Sequence, residues 1–170
     1  MERLYHYTVR KTKHETTMNN IIIDNQTYWI RVNKHYHYPI LRGDVLISIK
    51  NKFAEQIYAG TKTYELRHQV PNIMPGKTMW IYEPKPVAMI TGFVEYQASI
   101  IAAPWWIWHN YKQQLGVTHD EFLQYYKNRK TACAWKLTAP VRLDHPISLA
   151  DIGLKRPPQS YQFLNLTPEK

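Results

Sequence analysis

Val45-Leu46-Ile47-Ser48-Ile49-Lys50-Asn51-Lys52-Phe53-Ala54-Glu55-Gln56-Ile57-Tyr58-Ala59-Gly60-Thr61-Lys62-Thr63-Tyr64-Glu65-Leu66-Arg67 carries two strand patterns around one short helix. Residues 45–49 are apolar and largely β-branched, set between Gly43-Asp44 and Lys50-Asn51, which predicts a buried strand. Asn51 is placed to cap the helix, since its side chain can accept from the free amides of the first turn. Phe53 and Ile57 are four apart, as are Ala54 and Tyr58, and they give the helix an apolar stripe. Gly60 supplies the left-handed residue that stops it. Tyr64 and Leu66 then alternate with Thr63, Glu65 and Arg67, the period of a half-buried strand. Glu65 and Arg67 therefore share a face about 7 Å apart, at a rise of roughly 3.3 Å per residue. Lys62 stands in the turn before them, while Tyr64 and Leu66 point into the core.

The chain has 170 residues, which favours one domain with a real core. Its formal net charge is +9 and its sequence pI about 9.6. A surplus of that size suits polyanionic partners, through phosphate contacts and counterion release, without specifying a sequence. The single cysteine, Cys133, excludes an internal disulfide and fits a reducing compartment. The start, Met1-Glu2-Arg3-Leu4-Tyr5-His6, lacks a signal-peptide apolar run. The longest apolar stretch, 100–108, is broken by Pro104 and is far shorter than the roughly 20 residues a spanning helix needs. These features predict a cytoplasmic protein with no membrane partner.

Residues 1–20 are polar, with Arg10, Lys11, Lys13 and His14 clustered, and read as a loosely ordered arm. Residues 21–23 and 27–32 around Asp24-Asn25 read as a β-hairpin. Residues 1–40 hold too little apolar surface to fold alone, so they are expected to pack on the domain formed by 41–170. Strands are expected at 78–83 and 87–96, with Gly92 marking a bulge or bend. Helices are expected at 104–111 and 119–128, the second capped by Thr118 with Glu121 at capping-box spacing. Strands follow at 132–137 and 140–143, then a turn of helix at 149–154. Pro157 and Pro158 hold 156–160 extended, and 161–164 alternate as a last strand. The strands fit a small barrel closed on itself.

Gly60-Thr61-Lys62-Thr63-Tyr64-Glu65-Leu66-Arg67 is similar to the G-x-K-x-x-E-x-R signature of ASCH (activating signal cointegrator homology) domains, and matches all four specified positions. Leu154-Lys155-Arg156-Pro157-Pro158-Gln159-Ser160-Tyr161 resembles the closing segment of longer bacterial and phage members. The resemblance covers roughly residues 41–164. It implies an α+β fold: a small PUA-like β-barrel with a helix at its mouth and a two-helix insertion. It also implies binding of RNA, another nucleic acid or a nucleotide-like small molecule. Some small members are similar to amidohydrolases acting on acylated cytidine, with a lysine and a threonine three residues later. Here that later position is Glu65, so the nucleophile is unmatched. Other members are ribonucleases, whose acid–base pair Lys62 and Glu65 could supply.

On the binding reading, Lys62 and Arg67 meet phosphate or base edges and Glu65 accepts from an amine or orients a water. The plainer reading is a surface ion pair. Lys50, at the strand–helix junction, joins the candidate contacts. Trp105, Trp106, Trp108 and Tyr111 with Lys112 could stack bases, or Trp105 and Trp108 could be the buried side of a helix. Trp106 is the better candidate for a ligand contact. Tyr82 and Tyr96 could line a pocket or fill the core. Arg156, Gln159 and Ser160 lie on a proline-stiffened segment that is either a pre-organised ligand contact or a capping loop. His68 borders the cleft, and Cys133 is read as a small core residue. His35 and His37 share a strand face without a spaced carboxylate or thiol, so no metal is expected. No phosphate loop is present, so no cofactor is expected. The function expected is RNA or nucleic-acid binding in a basic cleft, linked to transcription or translation. Hydrolysis of RNA or a modified nucleoside is the alternative, and a protein-interaction role in transcription regulation is a third class.

Overall fold

The computed structural model describes residues 17–23, 26–32, 40 and 43–164, with side chains described for 40 and 43–164. The basic cluster at 10–14 and the His35/His37 pair lie outside them. Strands β1 (Thr17–Ile23) and β2 (Gln26–Val32) form an antiparallel pair of their own, with Ile23 opposite Gln26. The hairpin was expected from residue 21; residues 17–20, read as part of a loose arm, belong to its first strand.

The remaining strands make one sheet: β3 (Val45–Ser48), β4 (Tyr64–Arg67), β5 (Lys77–Glu83), β6 (Met89–Ala102), β7 (Ala132–Ile147) and β8 (Tyr161–Phe163). Their order is β4-β7-β6-β5-β3-β8, antiparallel throughout except for the parallel pair β3–β5. With α1 (Asn51–Tyr58), α2 (Pro104–Tyr111) and α3 (His119–Tyr125) it forms the α+β fold expected, its sheet curled into a half-barrel. Among the described residues strand pairing does not close it: β4 and β8 are the two rims.

Strand β3 is apolar without alternation because it is buried on both faces. Val45 and Ile47 join an inner core with Ile57, Met79, Ile81 and Trp135, on which α1 packs through Ala54 and Ile57. Leu46 faces the other way, into a group with Trp80, Tyr82 and Ile147. Tyr82 and Tyr96 are both core residues, as is Cys133. A third group, with Ile107, Leu115 and Phe122, packs the α2–α3 insertion onto Tyr64 and Leu66 of β4.

Asn51 does not cap α1. Lys50 occupies that position without a side-chain bond, and the Asn51 amide donates instead to buried Glu83. The carboxylate outcompetes the helix amides because a buried anion needs donors most. Thr91 gives its only hydroxyl proton to Glu83, 2.6 Å away, so Tyr58 must donate to Thr91 at 2.8 Å. Gly92 lies beside this chain of bonds, at a register shift of β6 against β7. The capping box of Thr118 and Glu121 is present. Strand β7 runs unbroken through both expected pieces, and the 149–154 turn is a short 3-10 helix, Ala150–Ile152.

A Cβ at Gly92 would stand 2.2 Å from the Val141 carbonyl oxygen and 2.7 Å from the Tyr58 hydroxyl. Backbone cannot yield as a side chain can. Gly92→Ala is expected to lower the unfolding free energy by about 3 kcal/mol, read from the urea midpoint.

Candidate functional site

The site is built where β4, an edge strand, passes the end of α1. Gly60 (φ 73°) ends the helix, and the Lys62 amide returns to the Gln56 carbonyl at 3.1 Å. That turn points Lys62 inward, and only 2% of it is exposed. Its ammonium donates to the carbonyls of Leu115 (2.6 Å) and Tyr64 (2.8 Å) and lies 3.3 Å from a Glu65 oxygen. Those three acceptors match the three protons it carries. Burial depresses its pKa, against the opposing pull of Glu65. The Phe53 ring lies 5.1 Å from the ammonium. Gly116 (φ +67°) covers it from the insertion: a Cβ there would meet Gln56 Oε1 at 2.1 Å and Lys62 Cδ at 3.0 Å.

Glu65 is buried and shared. One oxygen faces Lys62, and the other takes an ion pair from Arg67 Nη2 at 3.1 Å. The guanidinium continues outward. Nη2 donates to the Ser48 carbonyl (3.0 Å) on β3, and Nη1 donates to Ser160 Oγ (3.1 Å) just before β8. Trp135 lies beneath it, 5.5 Å from ring centre to guanidinium carbon. Ser48 in turn donates to the Pro158 carbonyl at 2.7 Å, which anchors the proline segment. Among the described residues, Arg67 Nε and Gln56 Oε1 are buried with no hydrogen-bond partner. Gln56 is a site member that sequence reading missed, since nothing in a helix pattern marks an amide whose neighbour is a glycine sixty residues away.

Lys62, Glu65, Arg67 and Ser160 are thus brought into one chain of contacts. Lys50 is exposed at the start of α1, two residues after Ser48. Arg156 and Gln159 are exposed on the segment that ends at Ser160. Trp106 is elsewhere: it packs edge-on against Tyr111, itself on Tyr64, across β4 from Glu65 and Arg67. Trp105, read as part of a buried side, is 70% exposed, against 37% for Trp106. Ile107 takes the inward position of α2, and a residue two places away falls on the opposite side of a 3.6-residue turn. Trp108 is partly buried against Phe122, with ring centres 5.2 Å apart.

A family model described as Domain of unknown function (DUF365) matches residues 43–150. A protein of Zymomonas mobilis named ASCH domain-containing ribonuclease is 29% identical over 129 residues, covering 72% of this chain and 85% of that protein. The crystal structure of ASCH from Zymomonas mobilis superposes with a TM-score of 0.67 at 27% identity, over 72% of this chain and 88% of that one. That of a variant of the same protein gives 0.67 at 26%, over 72% and 91%.

Lys62→Met removes the buried ammonium while keeping the length of the side chain. Because its pKa is depressed on folding, the native protein sheds this proton before the unfolded chain does. Between those two values the unfolded state binds more protons, so the lysine's cost falls as pH rises. Denaturant titrations should show wild type gaining stability relative to Lys62→Met from neutral pH toward the ordinary lysine value of 10.5. A constant difference would mean the two states share one pKa.

Proposed function

The chain belongs to the family described as Domain of unknown function (DUF365) and is an ASCH domain with a PUA-like half-barrel, and from that premise we propose that it binds RNA along the rim where Arg67 meets Ser160. The observation that carries this reading is the position of one guanidinium. Arg67 is fixed from behind by Glu65 and beneath by Trp135, and it reaches the exposed segment that also carries Arg156 and Gln159. A fixed cation beside an exposed one suits a phosphate backbone, because the fixed one loses little freedom on binding. Lys62 acts from behind: it holds Glu65, and Glu65 holds Arg67. A net charge of +9 adds long-range attraction for the same ligand.

Cleavage of RNA is a second reading, favoured by the name of the Zymomonas mobilis relative, a ribonuclease. The chemistry needs a group to take the ribose 2′-hydroxyl proton and another to protonate the leaving oxygen. Glu65 is the candidate for the first. Lys62, whose ammonium is disfavoured by burial, is the candidate for the second. Acyl-nucleoside hydrolysis has less to support it. Among the described residues no hydroxyl bonds the Lys62 ammonium, so an activated nucleophile is lacking.

Binding of a labelled single-stranded RNA should weaken steeply with salt. Arg156→Ala should reduce the slope of log affinity against log salt by about 0.7 and leave thermal unfolding unchanged. A salt-independent affinity would remove the binding reading. Incubation of the RNA with wild type and Glu65→Gln tests the second: fragments from wild type alone support cleavage, and intact RNA from both rejects it.

A further inference from the structure

His68 directly follows β4, and its ring stacks on Tyr125 of α3 with centres 4.3 Å apart and planes 12° apart. Both rings are exposed, Tyr125 to 40%. Each spends one face on the other, and Tyr126 stands edge-on to both. Beside the stack, α3 is fastened to β4, and Tyr125 takes part: its hydroxyl donates to the Leu66 carbonyl at 3.3 Å. The Tyr126 hydroxyl, with one proton to give, sits between the carbonyls of Cys133 (2.7 Å) and Arg67 (2.9 Å), and Phe122 fills the core. The Tyr126 ring meets His68 edge-on and sets its orientation, with centres 5.9 Å apart.

Charge surrounds the pair. After α3 the chain reverses at Asn128 (φ 62°), with the Arg129 amide bonded to the Tyr126 carbonyl at 3.0 Å. That turn brings Arg129 back toward His68. Partial burial, then Arg129 and Arg67, hold the His68 pKa below its ordinary value. The charges of Arg67, Glu65 and Arg129 all reach Tyr125. The stack therefore sits within electrostatic range of the rim site, on the other face of the same edge strand. A strand of nucleic acid lying over that edge meets Arg67 first and the stack next.

We propose that the His68–Tyr125 stack is a base-binding platform, on which an unpaired base of the RNA held at Arg67 continues the ring stack, with Arg129 contacting the adjoining phosphate. This rests on the RNA-binding reading above. It transfers the stacking role expected of Trp106 to a pair on the neighbouring end of the insertion. Aromatic faces beside arginine are what single-stranded RNA stacks on, with little dependence on the base.

The test compares two short 2′-O-methylated oligonucleotides, one with bases and one an abasic backbone of equal length, by fluorescence anisotropy at fixed salt. His68→Ala is expected to weaken the base-bearing oligonucleotide roughly tenfold and the abasic one less than about twofold. His68→Phe, which keeps a stacking ring, is expected to restore the difference. Equal losses on both oligonucleotides, or no loss on either, would overturn the platform while leaving RNA binding at Arg67 in place. Failure of wild type to bind either oligonucleotide would overturn the RNA reading itself.

Discussion

A sheet that curls halfway into a barrel leaves two rims with unpaired backbone, and here one guanidinium is shared between them. Arg67 stands on β4 at one rim and donates to Ser160 and Ser48 at the other. Two further contacts follow the same line. The Asn72 amide reaches the Tyr161 hydroxyl at 3.1 Å, and the Tyr161 and Trp135 rings meet at 5.6 Å. Side chains thus complete a closure that backbone hydrogen bonds leave open. Free strand edges invite pairing with other chains, and a cation placed at such an edge is a common way to discourage it.

Holding Arg67 there has a structural cost elsewhere. Its charge is balanced by Glu65, which is buried and so needs a second cation, and Lys62 supplies that from a position almost out of water. A buried ion set of this kind contributes little net stability, because desolvation offsets the attraction. Breaking it by removing one member costs about 3–5 kcal/mol. The triad is therefore better understood as a device for geometry than for stability. It fixes the direction of one arginine to within the tolerance of three hydrogen bonds.

The sequence made the local parts of this legible and the non-local parts opaque. The strand at 45–49, the glycine stop at Gly60 and the alternation of Tyr64 with Glu65 are all set by near neighbours, and each appears in the fold. The capping box at Thr118 is equally local. The depth of Lys62 is not, because it depends on Leu115 and Gly116, which reach it only after the insertion folds back. Asn51 looks like a cap until Glu83 arrives from another strand to claim its amide. The side of α2 that faces inward was undecidable among three tryptophans, since Ile107 supplies the buried contact. The open barrel was also unreadable. Strand count and turn spacing do not say whether the last strand meets the first.

The polar plug behind α1 bears on how this protein can meet a ligand. Asn51 at the first turn and Tyr58 at the last are both tied, directly or through Thr91, to one carboxylate with no access to water. Sliding or tilting the helix would take the Asn51 donor from Glu83 and leave Thr91 alone to serve a buried carboxylate, which costs free energy. Phe53, on the same helix with its ring beside the Lys62 ammonium, is therefore held from both ends of α1 as one wall of the site. On the reading proposed above, a wall held in this way leaves the bending to the guest.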